Sequence, residues 1–285
     1  MSGVRRKWKA FIGGFEGKVS LGILSFLAVL AVFAPWIAPY DPYDITQRDF
    51  PLDPPSLSHW LGTDGFGVDI LSQVIYGARV SLTIGLFTGV GIAVLGGLIG
   101  VFAGTWGGAT DMLTMRVVDF VMVLPGLPIM ILIMTNLGSS FWVMVMIFVL
   151  FGWAGIARIT RAVVLSERNR GFVDAARCAG AKKSYILFKH LLPATYSILF
   201  VSAAFAAGGA ILAEAGLAFL GFGDPTLVSW GKMLNYARTY NAMILGAWWW
   251  IIFPGIAVFL ASFSILLMGV GLEKMFNPRL KERER

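Results

Sequence analysis

The sequence holds one cysteine, Cys178, so no disulfide can form within the chain. Its two histidines, His59 and His190, stand far apart, and there is no CxxC pair or His-rich tract. No metal centre is expected from such a set. A nucleotide-binding P-loop is missing as well. Gly17-Lys18-Val19 and Gly231-Lys232-Met233 lack both the earlier glycine and the Ser/Thr that would bind magnesium. The chain is therefore expected to carry no cofactor of its own. Gly65-Phe66-Gly67 and Gly89-Val90-Gly91 follow no strand of a βαβ unit, which removes a dinucleotide site. Internal repeats, low-complexity tracts and any polar stretch long enough to hold its own core are also absent.

Charge is scarce. Of 285 residues only 14% are charged and 57% are hydrophobic, with a mean hydropathy of +0.76. Soluble domains are about a quarter charged, so the chain reads as an integral membrane protein. The net charge of +7 comes from 23 Lys+Arg against 16 Asp+Glu. On a soluble chain it would suggest nucleic acid. Here it fits basic loops at the cytoplasmic face, with lipid as the surrounding partner.

What is present is a series of long apolar runs. A membrane-crossing helix needs about 20 such residues. Six segments qualify: Val19–Ala38, Val80–Ala103, Leu113–Leu137, Phe141–Ala157, Pro193–Ala215 and Gly246–Leu272. The first is too long for a signal-peptide core and is expected to remain in the protein. With the N-terminus inside, 19 basic residues fall on the inner side and four (Arg48, Arg79, Lys232, Arg238) on the outer side. The inner set includes Arg5, Arg6, Lys7, Lys9, Lys274, Arg279, Lys281, Arg283 and Arg285. This asymmetry predicts a multi-pass protein of the cell membrane with both termini cytoplasmic. Three regions follow: residues 1–79 (tail, first span, outer loop), 80–272 (core) and 273–285 (tail). Pro39–Pro55 is expected to be irregular backbone in water.

Ionisable groups within spans are few. Arg116 and Asp119, three apart, share a helix face as a structural or gating pair. Glu214 near the outer end of the fifth span, and Asp64 in the outer loop, are candidate pathway or outer-face residues. Without carboxylate or histidine pairs at mid-depth, a proton relay or intramembrane hydrolase is disfavoured. Gly85/Gly89 and Gly96/Gly100/Gly104 recur at four-residue spacing, for packing within the chain or against a second membrane subunit. Pro125 and Pro128 favour a kink in the third span.

Between the fourth and fifth spans lies GFVDAARCAGAKKSYILFKHLLP, Gly171–Pro193. Phe172–Ala179 reads as a short helix, with Asp174 in its first turn where negative charge suits the dipole. Gly180 can take the left-handed conformation that ends it, and Lys182–His190 restarts a helix that enters the membrane. Ala175, Ala176 and Ala179 offer a small, smooth surface. Such an elbow can lie on headgroups or dock a cytoplasmic partner. The face is too weakly apolar to hold a membrane, which favours docking.

Asp174-Ala175-Ala176, Gly180 and Leu192-Pro193 resemble the EAA loop of ABC-importer permeases, with Asp174 in place of the usual Glu and His190 where many families carry Ile. The likeness extends along most of the chain. His59-Trp60-Leu61-Gly62-Thr63-Asp64, Gly67-Val68-Asp69, Ile75–Arg79, Met115–Asp119, Glu214–Gly221, Ser229-Trp230-Gly231, Trp248–Pro254 and Asn277–Leu280 are similar to dipeptide/oligopeptide permeases of the C-subunit type. The resemblance implies an all-α membrane protein with about six spans, the type I importer permease fold and a coupling-helix loop. It implies that Phe172, Val173, Asp174, Ala175, Ala176, Gly180, His190, Leu192 and Pro193 contact an ATPase. It further implies a homologous second permease, two cytoplasmic ATPase subunits that bind ATP and Mg, and an extracytoplasmic substrate-binding protein. The chain would then be a transport subunit, not an enzyme, carrying peptides; related systems carry oligosaccharides or metal chelates. An ATP-independent channel or carrier is the rival class, and it has no use for the elbow.

Overall fold

The computed structural model describes residues 11–276. The basic residues at 5–9 and 279–285 that entered the charge count, and the Asn277–Leu280 motif, lie outside the described residues. Among these, regular structure is helical apart from one antiparallel bridge, Thr63–Asp69.

Helix α1 (Phe15–Val32) is followed by a helical turn, Ala34–Ile37, with Pro35 in its first turn. The outer loop then leads to α2, Ile70–Trp106, whose 37 residues exceed the expected Val80–Ala103 at both ends. Three outer turns were invisible to a count of apolar residues because they carry Ser72, Gln73, Tyr76 and Arg79. Asp69 starts them: its carboxylate accepts from the backbone N–H of Ser72 at 2.8 Å, supplying the missing first-turn acceptor. At about 1.5 Å per residue α2 is about 55 Å long, well beyond a hydrocarbon core of about 30 Å. The expected boundary at 79/80 falls inside this helix, and that at 272/273 inside the last one.

The third span is broken. α3 (Gly108–Val123) and α4 (Gly126–Leu137) meet at 82°. Leu124 is extended (ψ 136°), as a residue before proline tends to be. Pro125 makes the break; Pro128 sits in the first turn of α4, where its missing N–H leaves no bond unmade. The bent pair nevertheless crosses the protein. At its start Gly104 accepts from Arg168 Nη1 beside the Gly171–Pro193 elbow. Just past its end the backbone N–H of Phe141 donates to Asp224 (3.0 Å), in the loop after the fifth span. Five helices are long and apolar enough to cross a membrane, and the bent pair, taken as one span, makes six; an even number puts both ends of the described chain on the elbow side. Lys274 Nζ reaches Glu16 at 2.9 Å there.

Helix α5 (Phe141–Arg168) runs three turns past the expected end at Ala157. A short helix, α6 (Gly171–Cys178), forms the elbow. α7 is a 40-residue stretch, Lys183–Phe222, interrupted by π turns at Leu187–Leu191 and Ala218–Phe222. α8 (Trp230–Thr239) lies across the outer end, and α9 (Trp249–Phe276) closes the bundle.

Packing centres on α2. Its two glycine sets face two different neighbours. A Cβ on Gly85 or Gly89 would meet Ile211 (2.7 Å) or the Ala203 carbonyl (2.6 Å) of α7. One on Gly96 or Gly104 would meet the Trp153 carbonyl (2.6 Å) or Val164 (2.7 Å) of α5. The small-residue faces thus serve packing within the chain, where removing side chains lets backbones approach. The outer loop, though irregular, is tied down. Trp230 Nε1 donates to the Val74 carbonyl (2.9 Å) and Trp249 Nε1 to that of Thr63 (3.0 Å). Buried His59 bonds Asp69 through Nδ1 at 3.0 Å and approaches Asp49 at 3.4 Å. Burial opposes its charged ring, but the two carboxylates outweigh that and raise its pKa above the ordinary value.

Gly100 is the sharpest test of this packing, because its added Cβ would press on the Ala157 carbonyl of α5. Gly100→Val is expected to cost roughly 1–3 kcal/mol and to lower the midpoint of thermal unfolding in detergent. Gly22→Ala, with nothing within 4 Å, should not lower the midpoint, since alanine is the better helix former.

Candidate functional site

The elbow is built by two breaks in helical hydrogen bonding. α6 ends in a Schellman motif: the Gly180 N–H donates to the Arg177 carbonyl (2.9 Å) and the Ala181 N–H to that of Ala176 (3.0 Å). This requires a left-handed residue, and Gly180 has φ +81°. The second break is the π turn at Leu187–Leu191, with the Leu192 N–H bonded to the Leu187 carbonyl. It directly precedes Pro193, whose ring has no N–H and crowds the carbonyl four residues back. A wider turn relieves that crowding.

One side of the elbow is anchored. Val173, Ile186, Leu187 and Leu191 are buried with Val101 of α2 and Val164 of α5. Leu192 and Ala176 pack at the edge of this cluster. The other side is open. Phe172 is 46% exposed, Ala175, Ala179 and Pro193 are exposed, and a Cβ on Gly180 would meet nothing within 4 Å. Asp174 lies in the first turn and pairs with Arg177 at 2.9 Å, both largely in solvent. His190 stands between the rings of Phe172 (5.5 Å) and Tyr185 (5.8 Å), tying the two arms together. An open groove of about 710 Å³ runs along Ala179, Gly180, Lys182, Tyr185 and Phe188. The structure thus gathers all nine expected elbow residues into one element, with Val173 as an anchor and Gly180 at its free edge.

The other candidates are placed differently. Arg116 and Asp119 do not pair. Asp119 is bonded to Arg158 of α5 at 2.5 Å, and Arg116 is exposed. A basic residue three positions before an acidic one is the weaker order on a helix, and α5 offers a better-placed guanidinium. Arg161 pairs likewise with Asp111. Both arginines lay beyond the expected end of the span; the run Arg158, Arg161, Arg168, spaced by three and then seven residues, was the available signal that the helix continued. Glu214 is 1% exposed and accepts from Ser81 Oγ of α2 at 3.1 Å, so it is locked in the α2–α7 contact. Asp64 is 3% exposed. It accepts from the N–H groups of Phe66 (2.7 Å) and Val68 (2.9 Å) and from Gln73 Nε2 (2.8 Å), and burial raises its pKa. Both carboxylates therefore organise the interior. Sequence reading did not find the cavity of about 520 Å³ at the α3–α4 bend. Thr88, Met122, Leu124, Gly126, Gly155 and Gly209 are among its lining residues, and none of the lining residues is charged.

Up to six candidate crossings, a bent span beside an uncharged cavity, and an elbow with one anchored and one free side define a multi-pass helical membrane protein. The chain belongs to the family of binding-protein-dependent transport system inner membrane components, which it matches over residues 96–282. Residues 17–55 match the N-terminal transmembrane domain of oligopeptide transport permease C. The chain is 40% identical to a putative peptide transport system permease protein of Brucella suis, covering 93% of this chain and 88% of that one. It is 39% identical to the di/tripeptide transport system permease protein DppC of Pseudomonas aeruginosa, covering 98% and 93%. A second Brucella suis protein, a putative peptide permease, is 38% identical over 91% and 85%. The protein is thus a multi-pass membrane permease subunit of a binding-protein-dependent transport system.

The cross-helix pair gives a direct test. A double-mutant cycle on Asp119→Asn and Arg158→Gln, read by unfolding in detergent, should return a coupling of about 0.5–3 kcal/mol. The same cycle on Asp119 and Arg116 should be additive.

Proposed function

We propose that the chain is one of two homologous permeases of an ATP-driven importer, and that it forms half of a pathway for peptides delivered by a substrate-binding protein. The single observation that carries the mechanism is the elbow: a short helix anchored at Val173, ended by a left-handed Gly180, with its small-residue side unoccupied. Two cytoplasmic ATPase subunits hold ATP and Mg, and this chain contributes no cofactor site. Nucleotide binding in those subunits moves the elbow. The anchored cluster transmits the movement to α2, α5 and α7, and the cavity at the α3–α4 bend switches sides. Such a switch needs two packings of the bundle with different nucleotide affinities. Peptide cargo is supported by the relatives, a putative peptide transport permease and a di/tripeptide transport permease. The uncharged lining at the bend fits cargo with varied side chains. The elbow and both termini lie in the cytoplasm, a reading supported by the basic-residue asymmetry and the six crossings.

Two experiments bear on this reading. Gly180→Val places a β-branched residue at φ +81°, at a cost of roughly 1–2 kcal/mol to the turn, and adds bulk on the open side. Membrane abundance should stay at the wild-type level, while ATPase co-purification falls or hydrolysis uncouples from transport. Normal binding and transport would reduce the elbow to a linker. Orientation is checked with cysteines at the exposed positions Ser56 and Ser166 in a Cys178→Ser background. An impermeant thiol reagent applied to sealed cells should label the Ser56→Cys protein alone; the opposite pattern inverts the topology.

A further inference from the structure

The elbow-side end of the bundle carries two adjoining hollows that the transport reading does not use. The first, about 450 Å³, is apolar and lies between α2 and the start of α7. Leu98, Phe102, Trp106, Leu187, Phe188 and Leu192 line it. The second, about 350 Å³, shares Trp106 and is lined by Arg168, Arg177 and Lys183. Ile186 and Leu191, which also line the second hollow, are chain neighbours of Leu187 and Leu192 in the first, so the two adjoin at Trp106 and along this stretch.

The charges in the second hollow are poorly balanced. No carboxylate lines it. Arg177 is bound by Asp174 from outside at 2.9 Å. Glu167 is taken by Arg170, and Asp111 by Arg161. Arg168 donates through Nη1 to the Gly104 carbonyl (3.1 Å) and has no ion pair among the described residues. Lys183 likewise has none. Arg168, which feels Asp111 only as a second cation behind Arg161, and Lys183, neither with an ion pair among the described residues, thus stand beside the half-exposed Trp106, which the apolar hollow also reaches.

The geometry points to a binding site for one anionic phospholipid, its phosphate held by Arg168 and Lys183 with help from Arg177 and its acyl chain in the Leu98–Phe102–Leu192 groove. Charge complementarity selects an anionic headgroup over a zwitterionic one. The contiguous groove selects a lipid over a soluble anion. A tryptophan at the join suits the headgroup level, where its amphipathic ring is favoured. Basic pockets at the ends of membrane helices bind anionic headgroups on this principle. The occupant would touch the end of α2, the end of α5 and both arms of the elbow at once, bracing the joint from its bilayer side. The site requires only that the chain sits in a membrane, so it stands or falls separately from the ATPase assignment.

The test uses the purified complex of this chain with its native partner subunits. After delipidation, phosphatidylglycerol or phosphatidylcholine is added back and retention is counted by native mass spectrometry. One phosphatidylglycerol per copy of this chain is expected, and no comparable phosphatidylcholine. Each cation near an anionic headgroup contributes roughly fivefold in affinity, so Lys183→Gln should weaken retention about fivefold. Adding Arg168→Gln should bring the loss to roughly 25-fold, and Arg168→Lys should keep the lipid. Lys183 has no ion pair among the described residues and is exposed, so its variant tests the site without removing a contact of the described fold. Leu98→Trp, which fills the groove and alters no charge, should also expel the lipid, and millimolar inorganic phosphate should not. Four outcomes would each overturn the proposal: equal retention of phosphatidylcholine, displacement by phosphate, undiminished binding in Leu98→Trp, or loss of ATPase subunits from Lys183→Gln with lipid retention unchanged. The last would assign the cations to the protein partner.

Discussion

Close approach of backbones to one long helix underlies the whole structure. Helices in lipid gain little from the hydrophobic effect when they pair, because the tails are as apolar as leucine; contact depends on shape. α2 meets this by leaving side chains out. Gly85 and Gly89 admit α7, and Gly96, Gly100 and Gly104 admit α5. The two sets occupy different turns of one helix, so α2 holds its neighbours at two depths. The remaining elements follow: α1 and α9 pack on the same bundle, and the elbow's apolar anchor closes over Val101 of α2.

Given that arrangement, the interruptions become informative. Backbone groups inside a bilayer must be satisfied internally, so a break costs least where protein or a cavity surrounds it. Pro125 breaks the third span beside the uncharged cavity, and Pro193 follows a π turn at the foot of α7. The elbow lies between two long helices and is held by a few apolar contacts and by His190, set between the rings of Phe172 and Tyr185. Its other side is free of intrachain contacts at Gly180. A joint fixed on one side and open on the other can carry a push from a bound partner into the bundle.

The charges of the bent span are assigned by helix pairing, not by chain neighbourhood. Asp111 and Asp119 of α3 find Arg161 and Arg158 of α5, closing the bent span against its partner helix. Buried Asp64 and Glu214 have their oxygens occupied by hydroxyl, amide or backbone donors. Arg168 and Lys183, which have no ion pair among the described residues, lie together at the elbow end of the bundle.

Much of this was legible in the residues alone. Six crossings followed from run length, because the bilayer imposes a fixed number of apolar residues on any helix that spans it. The Gly180 turn and the two arms of the elbow followed from local chemistry, since only glycine readily accepts that backbone and proline forces a change of pitch. The extra turns of α2 and α5 were not legible, because they mix polar and apolar residues and are held by packing and by the Asp69 cap. Nor were the ionic partners. At three-residue spacing Arg116 competes for Asp119 with every cation on neighbouring helices, and only the placement of α5 put Arg158 within reach. Local sequence determined where the chain crosses, turns and breaks, because those depend on a few adjacent residues and the solvent around them. The tertiary structure alone decided which charges meet, which carboxylates are buried and where the cavity opens, because those depend on which helices lie side by side.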